Sequence, residues 1–329
     1  MTSLVNRENG LDVFRLLAAW GVISVHVGFF EGFNSEEIAA AIRLSGRWAV
    51  PFFFILTGFL ISSKDSPTRA LNPLVRALTI FTIASLLLLP LSIANYGAHN
   101  TLVRIFSSGL FMSGTYFHLW YLSSVVVGLL ILLAIEKQGL ERFLPPIAVL
   151  SILLYLAMGA YNPITEAGIK VARHLSSVGF IYLGMILRNV KPSAFKGGLM
   201  LFFGFGIQLI EATTLTHFFA SKSILKYQFL IGTIFFATGA FILARSTVLN
   251  TFTSLGKLGA KHSLLIYIFH PYFIFIFNLL PLSPLLSDIL IIPTVFLSSL
   301  IFSVILEKNF KTLYHIANGD LKFLTMRDH

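Results

Sequence analysis

The sequence predicts an all-α, polytopic integral membrane protein of about ten transmembrane helices, with both termini cytoplasmic and one membrane domain over residues 1–329. Three observations carry that prediction. Hydrophobic residues are 56% of the chain and charged residues only 12%, a charged share about half that of a soluble domain. The apolar residues come in runs of about 15–20, enough helix to cross a hydrocarbon core of roughly 30 Å, rather than in the alternating ten-residue segments of an outer-membrane barrel. Lysine and arginine, finally, are distributed unevenly between the segments that separate the runs.

The first run, about 10–31, contains LDVFRLLAAWGVISVH. Asp12 and Arg15 interrupt its apolar region and no small-x-small site follows, so it reads as a retained span and not as a cleavable signal. The second, about 48–63, is the short WAVPFFFILTGFL, with Pro51 in the first turn, where a missing N–H costs nothing. The third, about 77–95, includes Pro90; the fourth to eighth cover about 118–135, 144–161, 174–190, 198–216 and 227–245. The ninth, about 262–281, holds Pro271 and the tenth, about 288–306, holds Pro293. Prolines inside spans kink helices when neighbouring groups satisfy the freed carbonyls. No loop is long enough for a separate soluble domain, and no internal repeat is evident.

With the N-terminus inside, the cytoplasmic segments hold sixteen of the 24 basic residues, from Arg7 and Lys64 through Lys257 and Lys261 to Lys322 and Arg327. Seven fall outside (Arg43, Arg47, Arg104, Lys170, Arg173, Lys222 and Lys226), and Arg15 is left within the membrane. That asymmetry favours cytoplasmic termini. The net charge of +10 then needs no nucleic-acid partner, because positive-inside loops and anionic lipid account for it. The chain has no cysteine, which removes disulfides, thiolate metal sites and acyl-cysteine intermediates.

Ionisable groups in a membrane cost enough to suggest function, and Arg15 and His26 stand out. Eleven residues of helix end about 20° past three full turns, so the two share a face about 16 Å apart. An arginine near the cytoplasmic headgroups would hold phosphate as a charged fork, and a histidine deeper in would move a proton. The face suits a long ligand, anionic at one end and reactive at the other. The plainer explanation is that Arg15 snorkels beside Asp12 and that His26 bonds a neighbouring helix.

LDVFRLLAAWGVISVH resembles the first-helix signature of the acyltransferase 3 family of membrane O-acyltransferases, an arginine, ten residues, then a histidine. RWAVPFFFILTGFL resembles that family's second helix, with Thr57 where serine is usual, and FHLWYL and HSLLIYIFH resemble two later elements in the same order. Within the family the chain is most similar to the branch that O-acetylates enterobacterial common antigen. The resemblance implies a multi-pass inner-membrane enzyme with no bound cofactor, cytoplasmic acyl-CoA (acetyl-CoA) as co-substrate and a glycan or lipid-linked saccharide as acceptor. Arg15 and His26 match the family's essential pair; Arg47, His118, Trp120, Tyr267 and His270 match its recurrent motif positions. After HLW, however, many relatives read SLSVEEQFY where this chain reads YLSSVVVGL, so no role can be carried over for the paired glutamates.

The expected site follows. Arg15, Asp12, Lys257 and Lys261 would bind acyl-CoA, and His26 would take the acceptor hydroxyl's proton while Tyr267 or His270 steadies the oxyanion. Rise per residue places His270 where it can approach His26 near the midplane. Arg47, His118, Trp120, Tyr121 and Glu211 would receive the acceptor, although Arg47 can equally hold a lipid headgroup, Trp120 belongs in an aromatic belt, and Glu211 makes sense as a structural polar contact. His99, His217, His315 and His329 are assigned nothing, and no metal motif occurs. Direct transfer and an acyl-histidine relay both remain open, as do the acyl group, the acceptor's side of the membrane and a homo-oligomer. The rival function is a transporter or exporter of a lipid-linked saccharide, against which stands the absence of repeat symmetry.

Overall fold

The computed structural model describes residues 8–61, 69–161, 166–218 and 223–320. Arg7, Lys64, Lys222, Lys322, Arg327 and His329 lie outside the described residues. Among those described, all regular structure is helical: α1 (Asn9–His26), α2 (Glu36–Gly46), α3 (Ala49–Ile61), α4 (Leu71–Leu87), α5 (Leu89–Tyr96), α6 (Ala98–Ile105), α7 (Ser108–Ser113), α8 (Trp120–Lys137), α9 (Leu144–Leu156), α10 (Glu166–Leu187), α11 (Ala194–Phe218), α12 (Ile231–Ala244), α13 (Thr253–Phe277), α14 (Pro284–Asn309) and α15 (Lys311–Ala317).

Six helical stretches among the described residues are long and apolar enough to cross a membrane, and up to seven if α4 and α5 form one span. Those two meet at a 48° bend at Pro90, where the sequence predicts a kink. Pro271 and Pro293 lie inside the unbroken α13 and α14. The helices assigned from sequence as the first, sixth and eighth spans fall outside the set. Asp12, Arg15 and His26 lower the apolarity of α1, Lys170, Arg173 and His174 do so for α10, and α12 has only 14 residues.

Two boundaries differ from the sequence reading. The second span is the end of a longer stretch, Glu36–Ile61, in which α2 runs into α3, so Arg47 sits inside the stretch and not at its outer entrance. Ser35 starts it, its hydroxyl accepting the Ile38 N–H at 3.2 Å as an N-cap does. Likewise α13 begins at Thr253, so Lys257 and Lys261 stand on the helix itself and not in a preceding loop. Hydropathy marks where lipid begins, whereas backbone hydrogen bonding continues past it.

The chain divides into two compact units, Met1–Leu56 with Asn189–Leu300, and Thr57–Arg188 with Ile301–His329, the boundaries falling within α3 and α14. In the first, α1 and α13 run side by side in parallel: Asn9 lies against Gly256, Asp12 against Gly259, and His26 against His270. The approach at Gly259 is so close that a Cβ there would lie 1.8 Å from the Asp12 carbonyl oxygen. Such small-residue contacts drive association where lipid offers no hydrophobic effect. Higher along the pair, Leu16, Ala19 and Ile23 of α1 bury themselves with Ile266 of α13 and Val295 of α14.

Elsewhere on its surface α1 meets α2, which runs antiparallel to it. A Cβ at Gly46 would lie 2.3 Å from the Gly21 carbonyl oxygen, while Arg43 reaches the Gly28 carbonyl beyond the end of α1. In the second unit α8, α9 and α10 pack together, and Arg69 pairs at 2.6 Å with Glu136, whose side chain is 2% exposed. A carboxylate that deep is tolerated because the guanidinium compensates it.

Candidate active site

The shared face of α1 survives in the structure because α1 is one unbroken helix of 18 residues, so the rise that separates Arg15 from His26 applies without correction. At the lower end Arg15 Nη1 pairs with Asp12 Oδ1 at 3.1 Å; Asp12 is buried and Arg15 half-buried. The pair keeps an arginine charge in place with its carboxylate only one turn away.

At the upper end the half-buried imidazole of His26 stacks on that of His270, ring centroids 5.5 Å apart and planes inclined by 20°. His270 is fully buried, and its Nδ1 lies 2.8 Å from the Tyr267 carbonyl oxygen. A carbonyl only accepts, so Nδ1 carries the hydrogen. Pro271 explains this arrangement. In an ordinary helix the N–H of residue 271 would bond the carbonyl of Tyr267, but proline has none, and His270 fills the vacancy. The tautomer of the buried histidine is thus set by the next residue in the chain.

Both groups expected from sequence to steady an oxyanion, His270 and Tyr267, lie on α13. Tyr267 is buried, its ring 6.2 Å from that of His270.

The remaining residues expected at the site divide. Lys257 and Lys261 are exposed, and at about 100° per residue both lie some 160° round α13 from Gly259, on the side away from α1. Glu211 accepts the N–H groups of Ile231 at 3.0 Å and Gly232 at 3.1 Å, so its carboxylate caps α12. One turn earlier, Gln208 donates to the Leu44 carbonyl at 2.8 Å and accepts from Thr233 at 2.6 Å, tying the end of α2, and with it Arg47, to α11 and α12. His118, Trp120 and Tyr121 belong to the other unit. There His118 is fully buried with its ring edge-on to Tyr116, Trp120 lies under the Arg173 guanidinium at 4.2 Å, and Tyr121 is half-buried. Arg43 was missed: it counts as a loop charge from sequence, and only its spacing of four from Arg47 hinted that both share a face.

Residues 8–308 match the acyltransferase 3 family, described as an acyltransferase domain. The chain belongs to this family. Its chemistry is membrane acyl transfer, which needs a group to take and return a proton. Shorter similarities link this acyltransferase to three racemases. It is 32% identical to an amino-acid racemase of Enterococcus faecalis over 36% of this chain and 17% of that protein. A second amino-acid racemase of that organism is 29% identical over 41% and 21%, and a serine/alanine racemase of Enterococcus gallinarum 28% over 38% and 19%. The acyltransferase thus spans about a fifth of the length of these curated relatives, too little to bring their activity with it. No solved structure matches.

For this acyltransferase, Pro271→Ala is the informative change at His270. The restored N–H would compete for the Tyr267 carbonyl, freeing His270 Nδ1 and the tautomer with it. Transfer is expected to fall about tenfold while thermal stability holds or rises, because alanine suits a helix interior better than proline. Turnover and melting temperature measured on one preparation test this; a drop in both would mean that Pro271 serves folding.

Proposed function

We propose that the protein is an O-acetyltransferase of the inner membrane, moving an acetyl group from cytoplasmic acetyl-CoA to a hydroxyl of a surface or lipid-linked glycan. The observation that carries this reading is the single face of α1, with the Arg15–Asp12 pair at one end and the His26–His270 stack at the other. Its span of about 16 Å is comparable to an extended pantetheine arm, so phosphates held at Arg15 leave the thioester beside His26.

His26 takes the acceptor hydroxyl's proton as the oxygen attacks the thioester carbonyl. The tetrahedral oxyanion receives the Tyr267 hydroxyl, the carbon–sulfur bond breaks, and the proton passes from His26 to the leaving sulfur, giving an ester and CoA thiol. His270 lies beside His26, its ring fixed by the Tyr267 carbonyl. Ten spans with cytoplasmic termini, as the basic residues suggest, would put Arg15 at the donor's side. The likeness to the branch acting on enterobacterial common antigen makes its saccharide the first acceptor to try.

The test is transfer of label from radiolabelled acetyl-CoA to membrane glycolipid in membranes with and without the protein. The expected result is an alkali-labile acetyl ester that depends on the protein and on acceptor. Thioester hydrolysis without ester, or movement of glycolipid with neither, would overturn the reading, the latter in favour of an exporter.

A further inference from the structure

We propose that the segment joining α5 to α8, residues 97–116, is an interfacial anchor lying in one surface of the bilayer, its apolar face buried among lipid where headgroups meet acyl chains. It does not depend on the acetyltransferase reading, and all of its residues belong to the second unit.

Length excludes the segment as a span. α6 has eight residues and α7 six, about 12 and 9 Å of helix against a hydrocarbon core of roughly 30 Å. The chain on either side nevertheless holds it at the membrane. It follows the bent α4–α5 pair, which can serve as one span, and precedes Phe117–Lys137, which is long and apolar enough to be another. Its two ends are tied together: Asn95 donates to the Tyr116 hydroxyl at 2.8 Å, and the rings of Tyr96 and Tyr116 lie 5.5 Å apart. The Thr115 hydroxyl donates to the Ser85 carbonyl at 2.6 Å, closing the segment onto α4. Residues 97–116 therefore leave and rejoin the helices at one end of both spans.

At 100° per residue α6 has three sides. One turns inwards, where Thr101 is buried with its hydroxyl 3.1 Å from that of Ser92. A second carries Asn100 and Arg104, and Arg104 donates from Nη2 to the Ser113 hydroxyl at 2.9 Å and lies over the Tyr96 ring. The third presents His99 in the first turn, then Leu102, Val103 and, just past the helix, Phe106, which is 85% exposed. α7 adds Phe111, 77% exposed. Large apolar side chains grouped in this way mark a contact surface, and helices that end in the bilayer on both sides make lipid its partner. Charge agrees. Between Asp65 and Glu136 the sequence contains no carboxylate, while Arg104 sets a cation beside the apolar face. That combination lets an interfacial helix meet anionic headgroups and acyl chains at once.

The chain has no cysteine, so single nitroxide labels can be attached through Leu102→Cys, Phe106→Cys, Asn100→Cys and, as a mid-span reference, Leu130→Cys on the exposed side of α8. The full chain in phosphatidylcholine–phosphatidylglycerol nanodiscs is studied by power-saturation EPR with oxygen, which concentrates in acyl chains, and a nickel chelate, which stays in water. The oxygen-to-nickel accessibility ratio at Leu102 and Phe106 is expected to be severalfold above that at Asn100 and below that at Leu130, matching a depth of roughly 5–10 Å into the boundary. Ratios at Leu102 and Phe106 equal to that at Asn100 would put the face in water and overturn the proposal. A depth equal to that of Leu130 would overturn it in favour of a re-entrant hairpin. Low access to both reagents would mean that protein covers the face, a second copy of the chain if dipolar broadening disappears on dilution with unlabelled protein, and would overturn it too.

Discussion

His26→Ala is expected to lower acyl transfer by about 10²–10⁴-fold at unchanged membrane abundance, the range lost with a positioned general base. Removing His270 should be nearly as costly, for a different reason. His270→Ala takes away the stacked ring and leaves the Tyr267 carbonyl without the donor that Pro271 cannot supply. His270→Gln, which can offer an N–H to that carbonyl, should recover part of the loss without restoring the ring. If the two histidines act as one device, the double variant will be about as slow as His26→Ala alone, because effects within a unit do not add. Turnover at saturating acetyl-CoA in membranes, normalised to protein by immunoblot, gives all four rates. A His26→Ala rate equal to wild type would make the polar face structural, and additive losses would mean that the rings serve separate steps.

Much of this site can be read in the sequence, for identifiable reasons. Helical periodicity is rigid, so Arg15 and His26 share a face wherever α1 lies, and the spacing alone established it. Pro271 beside His270 was visible as a kink, but its effect on the histidine tautomer depends on where the Tyr267 carbonyl points, which needs coordinates. Lys257 and Lys261 were misplaced because hydropathy finds the lipid boundary while α13 continues about two turns beyond it. For Glu211 the choice between acceptor ligand and structural polar contact stayed open because the N–H groups it caps are 20 and 21 residues further on, beyond the reach of any local pattern. Arg43 escaped for the same reason: its partner, Gly28, belongs to the turn before α2. Periodic relations within one helix are legible, and relations between helices are mostly not.

Gly259→Val should be the most damaging change to the fold of this unit, and the way it fails is informative. A Cβ at Gly259 would sit 1.8 Å from the Asp12 carbonyl oxygen, against backbone that cannot rotate aside as a flexible side chain can. α1 and α13 must separate there or slide. Even the single methyl of Gly259→Ala should cost about 1–3 kcal/mol, as overpacking does, and valine more. Gly198→Ala on α11 is the control: nothing lies within 4 Å of its Cβ, and gaining alanine in a helix should be neutral or stabilising by up to about 1 kcal/mol. Because α1 and α13 are parallel, a wedge at Asp12 opens the pair from below. Gly259→Ala should therefore disturb the Arg15 end first and raise the KM for acetyl-CoA, while the His26–His270 stack, about 16 Å higher, loses less kcat. Melting temperature and the two kinetic constants measured together decide it. A fall in kcat with the donor KM unchanged would show that strain at Gly259 passes along the rigid pair to the histidines, so that the ends of α1 do not work independently.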